Sequence, residues 1–249
     1  MKHILVINHT RGLHGSEHVL LQSIHGLKKA GYRITVVLPK QVENQGLDEM
    51  LDEADTIIRL RYKVAGEHVL RTLAICLYNL PAMFYLCRRI RREQVDTVYS
   101  NTSTTVIGIM AACWTRRKHL WHFHESADSL YGWHNSMNGL YRLLASYRKN
   151  TLLYLSQCQR HEWEQAIGQH PASVIYNPVR LLSKAETIPH TSIRFGYLGG
   201  FEERKNLPWL LHSFEELHHE YPSAELWLSG ARNQQEIDSI KAQTSLQEP

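Results

Sequence analysis

Short apolar, β-rich runs alternate with segments of helical periodicity along almost the whole chain, and this alternation restricts the possible fold more than any other feature. His3 to Asn8 is followed by Leu20, Ile24 and Leu27 at helical spacing within Glu17 to Ala30, then by a second β-rich run from Arg33 to Pro39. Two such runs joined by an amphipathic crossover form a βαβ unit, with Gly31 standing where a helix C-terminus lets the chain turn back. Further runs lie at Thr56 to Leu60, Thr97 to Ser100, His119 to His124, Thr151 to Leu155 and Ser173 to Tyr176. Between them lie helical segments at Val69 to Arg92, Thr104 to Trp114, Met137 to Lys149 and Gln157 to Ile167. Strands alternating with helices specify an α/β fold with a doubly wound, mostly parallel sheet.

Asn177, Pro178 and the polar stretch from Ser183 to Ser192 read as a linker, because proline disfavours helix at the residue before it. Beyond it the alternation restarts, with strands at Ile193 to Leu198 and Glu225 to Ser229. Helices are expected at Leu207 to Glu220, with Leu207, Leu210, Phe214 and Leu217 on one face, and at Gln234 to Ala242. The expected organisation is a Rossmann-like domain over residues 1–180, a linker over 181–192 and an incomplete second Rossmann-like domain over 193–249.

At 249 residues, with 43% hydrophobic and 21% charged side chains, the chain can bury a substantial core and falls in neither the disordered nor the membrane-spanning class. A formal net charge of +4 favours phosphate-bearing ligands or an anionic lipid surface. Cys76, Cys87, Cys113 and Cys158 show neither metal-ligand spacing nor a disulfide framework, and Met1 and Lys2 lead directly into a strand. A cytoplasmic protein is expected. The apolar stripe Leu70, Leu73, Leu77, Leu80 and Phe84 ends in Arg88, Arg89, Arg91 and Arg92. It is expected to face the core, with the arginines favouring the helix C-terminal dipole; the alternative is a basic patch on the inner face of a membrane.

Three segments could carry chemistry. His9 to Ser16 is a loop with glycines at 12 and 15 opening onto a helix at Glu17, where backbone amides are free to meet a diphosphate or a sugar. Its spacing is not the dinucleotide fingerprint, which counts against a nicotinamide oxidoreductase. The strand at 119–124 ends in His122, Phe123, His124 and Glu125, so polar groups emerge at the carboxyl edge of the sheet, where open α/β folds bind ligands. No third ligand accompanies the histidines, so no metal site is expected there. Tyr197 to Asn206 combines Gly199 and Gly200 with Arg204 and Lys205 at a helix entrance, which suits phosphate. There is no basic aromatic face of the kind that binds nucleic acid.

In this order the segments resemble the retaining GT-B glycosyltransferases of family 4. HGSEHVLLQSIHGLKKAGYRITVVLP is similar to that family's glycine loop and first helix, with His14 in place of the first glycine. RRIRREQVDTVYSNTS is similar to its basic helix and following strand, and LWHFHE to its strand ending in a functional histidine. YLSQCQ, VIYNPV and FGYLGGFEERKNLPWLLHSFEEL follow in family order, with Gly200 where an arginine is usual and Arg204 as its possible substitute.

The resemblance implies transfer of a hexose, with retention, from a nucleotide diphosphate sugar to a glycan or lipid-linked acceptor in cell-surface polysaccharide or lipopolysaccharide synthesis, with no metal or other cofactor. It assigns His124 to the sugar near the reacting carbon. Gly15, Ser16, Gly199, Arg204 and Lys205 fall on the donor, and His14, Glu125 and Asn101 on the acceptor side. The family's Glu-x7-Glu motif would fall beyond Pro249, so the chain is expected to be truncated and to show no detectable turnover by itself. The competing expectation is a non-catalytic acceptor-domain protein that binds glycan or a partner.

Overall fold

The computed structural model describes residues 1–40, 46–127, 134–179, 192–201, 205–231 and 233–244. They fall into two compact units, Met1–Arg180 and Leu181–Pro249.

In the first unit seven strands form one parallel sheet: β1 (His3–Ile7), β2 (Arg33–Pro39), β3 (Thr56–Leu60), β4 (Thr97–Asn101), β5 (Lys118–His122), β6 (Asn150–Tyr154) and β7 (Ala172–Val174). Their spatial order is β3-β2-β1-β4-β5-β6-β7. The chain starts in the middle, winds outward to β3, then returns beside β1 and winds the other way. Both faces are covered, so β1 reads as an unbroken apolar run in which Leu5 and Ile7 pack on one side while Ile4 and Val6 pack on the other.

Among the described residues six α-helices accompany these strands: α1 (Gly15–Lys29), α2 (Val69–Tyr78), α3 (Leu80–Arg92), α4 (Val106–Thr115), α5 (Met137–Ala145) and α6 (Gln157–Ile167). Helix α1 begins two residues before the expected Glu17. It ends in a Schellman motif at Gly31 (φ +79°), where the amide of Tyr32 reaches the Leu27 carbonyl (3.1 Å) and that of Gly31 the Lys28 carbonyl (2.9 Å). Helix α4 lies so close on β4 that a Cβ at Gly108 would sit 1.9 Å from Ser100 Oγ.

The segment from Val69 to Arg92 departs from expectation twice. It is two helices bent by 57° rather than one. Pro81 has no N–H to give the Leu77 carbonyl, and the buried Asn79 turns its side chain to the loop before α2, accepting from Lys63 N (2.9 Å) and donating to Lys63 O (2.8 Å). Most of the stripe expected to face the core faces outward, with Leu70 78% exposed, Leu77 68% and Phe84 49%; only Leu80 of the stripe packs against the core. The core takes the opposite face of α3, through Ala82, Met83, Leu86, Cys87 and Ile90. Phe84 stacks edge-on against the 57%-exposed Trp114 of α4 (5.6 Å), which extends the outer apolar surface across both helices.

The second unit pairs β8 (Arg194–Leu198) with β9 (Glu225–Ser229) in parallel, with α7 (Leu207–Glu220) and α8 (Gln234–Lys241). Leu207, Leu211 and Phe214 are the buried residues of α7; Leu211 takes the place foreseen for Leu210, which is half-buried. Residues 181–191 of the expected linker, and Arg204, lie outside the described residues.

Candidate active site

The reversal of strand order falls between β1 and β4, and at the carboxyl ends of those strands the diverging connections leave a crevice, the usual ligand position in open α/β sheets. What lines it follows from where the strands stop. Strand β1 leads into Asn8 and then the loop that opens α1; β4 ends at Asn101; β5 ends two residues before His124.

The amides of Gly15 and Ser16, the first two of α1, have no acceptor among the described residues, whereas those of Glu17 and His18 reach the His14 carbonyl (3.2 Å each). Free N–H groups and the positive end of the helix dipole make this N-terminus a place for an anion. Gly15 is exposed, and a Cβ built on it meets nothing within 4 Å, so the space in front of these amides is open. Glu17 is buried and anchors the loop, taking His14 N (3.2 Å), Ser16 Oγ (3.0 Å) and Asn8 Nδ2 (3.1 Å).

His124 Nε2 lies 2.9 Å from Asn101 Oδ1, and Asn101 Nδ2 lies 2.8 Å from Asn8 Oδ1 and 3.5 Å from the Ser16 carbonyl. The structure thus brings Gly15, Ser16, Asn101 and His124 to one edge of the sheet. Glu125 joins them in a supporting position: its Oε2 accepts from Ser103 Oγ (2.8 Å), Ser103 N (3.1 Å) and His124 N (3.3 Å). Its carbonyl is held by Trp163 Nε1 (2.8 Å) and Gln159 Nε2 (3.1 Å), which fixes the turn carrying His124. His14 is exposed at the N-cap.

Burial keeps the histidines of this edge neutral. His124 is lowered to about 3, by desolvation first and then by His122 and His9; His122, 4.2 Å from it ring to ring, is lowered to about 4 by desolvation. His119, deeper along β5, is lowered to about 4 for the same reason, partly offset by Asn150. A neutral His124 cannot attract a phosphate by charge, but it can accept a hydrogen bond from a hydroxyl.

The same shifts give a stability prediction. Between pH 6.5 and about 4 the unfolded chain protonates these three histidines while the folded chain does not, so stability should fall as pH falls through that window. Denaturant midpoints measured across it should drop steeply and unfolding should take up protons. A flat profile would show the histidines to be charged in the fold.

In the second unit Lys205 is exposed just before α7, with Asn206 at the N-cap in a left-handed conformation (φ 50°). The amide of Gly199 is already used, donating to the Ser229 carbonyl (3.0 Å). An open groove of about 1090 Å³ in this unit is lined largely by apolar residues such as Phe214, Leu226, Leu228, Ile237 and Ile240. The convergent polar groups lie at the β1/β4 edge instead, and that edge is the better candidate. Among the described residues no group of three or more His, Cys, Asp or Glu could hold a metal ion.

A family model described as Glycosyltransferase Family 4 matches residues 13–181, which include all of these first-unit side chains except Asn8 and His9. The chain belongs to glycosyltransferase family 4. Solved structures with a similar fold include Anabaena HepE in complex with UDP-glucose (17% identity, TM-score 0.68, 98% of this chain and 65% of that one). Acinetobacter baumannii MurG (15%, TM-score 0.58, 98% and 62%) and the Neisseria meningitidis UDP-GlcNAc 2-epimerase bound to UDP-GlcNAc (16%, TM-score 0.55, 98% and 69%) are also similar. These likenesses establish the GT-B fold. The family 4 chain spans 65% of the length of HepE, and no curated protein matches it.

Sequence reasoning missed Asn8 and gave Glu17 no part in the site. Asn8 left a trace, a polar residue closing an apolar strand at the edge where ligands bind, but its partner is 93 residues away.

Proposed function

We propose that this family 4 protein takes part in transferring a hexose, with retention, from a nucleotide diphosphate sugar to a lipid-linked acceptor at the cytoplasmic face of a membrane. The observation that carries the reading is the pairing, at one sheet edge, of two free helix-terminal amides with a neutral histidine: a position for diphosphate beside an acceptor for a sugar hydroxyl. The HepE complex with UDP-glucose supports the choice of ligand class. Lys205, exposed before α7 in the second unit, is proposed as a donor-binding cation on the family resemblance. The acceptor hydroxyl attacks from the face the diphosphate leaves, and the leaving phosphate oxygen takes its proton.

The test is release of nucleoside diphosphate from UDP- and GDP-hexoses, with and without lipid-linked glycans, followed by the anomeric configuration of the product by NMR. Acceptor-dependent release that is lost in His124→Ala and yields the donor's own anomer supports the reading. Binding without release would favour a non-catalytic glycan-binding protein; inversion would remove the retaining assignment.

The membrane part rests on the outward stripe of α2 and α3. Leu70, Leu73, Leu77, Phe84 and Tyr85 lie along it and Arg88, Arg91 and Arg92 continue it, while residues 68–92 and 97–124 contain no aspartate or glutamate. An apolar strip with aromatic side chains and a cationic end matches an anionic bilayer surface, where each Lys or Arg contributes about 1 kcal/mol. Among the described residues no single helix is long and apolar enough to cross a membrane. Co-sedimentation should show binding to phosphatidylglycerol vesicles, weakened by salt and abolished in Leu77→Glu/Phe84→Glu. Equal binding to neutral and anionic vesicles, or none, would remove the patch from the account.

A further inference from the structure

The polar chain leading to His124 has a direction. Asn8 Nδ2 lies 2.9 Å from the Thr10 carbonyl, a group that can only accept, so the amide nitrogen of Asn8 must point there and towards Glu17. Asn8 Oδ1 is thereby turned to Asn101, which must meet it with Nδ2 (2.8 Å). The Ser16 carbonyl, 3.5 Å from the same nitrogen, asks for the same orientation. Asn101 Oδ1 then faces His124 Nε2 at 2.9 Å, and an oxygen there requires that this ring nitrogen carry the proton.

We infer that Asn8 and Asn101 are positioning residues that relay the polarity of the Thr10 carbonyl to His124, fixing its Nε2–H tautomer and leaving Nδ1 as the acceptor for one hydroxyl of the transferred sugar. The tautomer part stands on hydrogen-bond geometry alone, and the hydroxyl part rests on the function proposed above. Asn8 does the more informative work because it touches neither His124 nor any group in front of it. The relay also joins the strand that carries the histidine to the loop that presents the amides of Gly15 and Ser16. A hydroxyl contact and a diphosphate contact are therefore held in one frame. An alternating donor-acceptor chain of this kind has one consistent setting, and reversing it would turn the amide nitrogen of Asn8 away from the Thr10 oxygen.

The relay is tested in the ligand-free protein by NMR of 15N-histidine, with the His124 resonances assigned by their loss in His124→Gln. His124 is expected as Nε2–H only, and the Nδ1–H form should emerge in Asn8→Ala and in Asn101→Ala while the His119 signals stay in place. An Nδ1–H tautomer in the parent protein overturns the relay, as does a tautomer unmoved by both variants. The hydroxyl part is tested by binding of UDP-glucose and its monofluoro analogues, one hydroxyl replaced at a time, since fluorine cannot donate. One analogue should bind about tenfold more weakly to the parent protein and no more weakly than UDP-glucose to His124→Ala. Uniform binding across the series, or no binding of UDP-glucose, removes the hydroxyl contact and leaves the tautomer result standing.

Discussion

Gly15→Asp is expected to leave the protein folded, or slightly more stable, and to abolish binding of a nucleotide diphosphate sugar. The two effects have opposite signs because they arise from the same electrostatics. Gly15 is the first residue of α1 and a Cβ there meets nothing within 4 Å, so the side chain enters open space. A carboxylate in the first turn of a helix is favourable by about 0.3–1 kcal/mol. Against a diphosphate the same carboxylate is a like charge at close range, a juxtaposition that costs several kcal/mol, on the order of a hundredfold or more in Kd. Thermal melting and calorimetry on one preparation read both. Unchanged affinity would place the diphosphate elsewhere, and an unfolded variant would show that glycine serves the backbone rather than the ligand.

The second large effect is structural. Trp121 is fully buried, stacked on Tyr141 (5.2 Å) and edge-on to Phe123 (5.0 Å), and its Nε1 donates to the Thr102 carbonyl (3.1 Å). Thr102 is a β-branched residue at φ 83°, a conformation that persists only when its surroundings impose it. Trp121→Ala should therefore cost about 3–5 kcal/mol, a large share of the roughly 5–15 kcal/mol that holds a typical domain. Trp121→Phe keeps most of the packing but removes the indole donor, leaving the buried Thr102 carbonyl only the long bond from Thr105 N (3.4 Å), so about 1–3 kcal/mol is expected. Because Thr102 follows Asn101, the milder variant should also loosen the relay to His124. Denaturant titrations give the stabilities; a Trp121→Phe protein as stable as the parent would show that Thr102 needs no such clamp.

Periodicity made the sheet legible, since in a parallel α/β fold each strand and each crossover helix declares itself locally. Gly31 and the strand ends near Asn8, Asn101 and His122 could be read to within a residue or two. The orientation of α2 and α3 could not. An apolar stripe at helical spacing says that a helix has two faces, not which face meets the core, and in α3 it is Ala82, Met83, Leu86, Cys87 and Ile90 that pack inward. The break at Asn79 depended on its side chain binding Lys63, a tertiary contact that Pro81 alone did not announce. The site was legible by residue but not by connection. Gly15 and His124 stood out by position in the sheet, whereas the amide pair that joins them, Asn8 to Asn101, spans 93 residues and exists only after β1 and β4 have paired.

The most direct test of the central claim is amide and histidine shift mapping on 15N-labelled protein titrated with UDP-glucose and with UDP. The account predicts saturable shifts at Gly15 and Ser16 with both ligands, and at the His124 ring with UDP-glucose alone, since only the sugar reaches it. Saturable binding that leaves Gly15, Ser16 and His124 unmoved would contradict it.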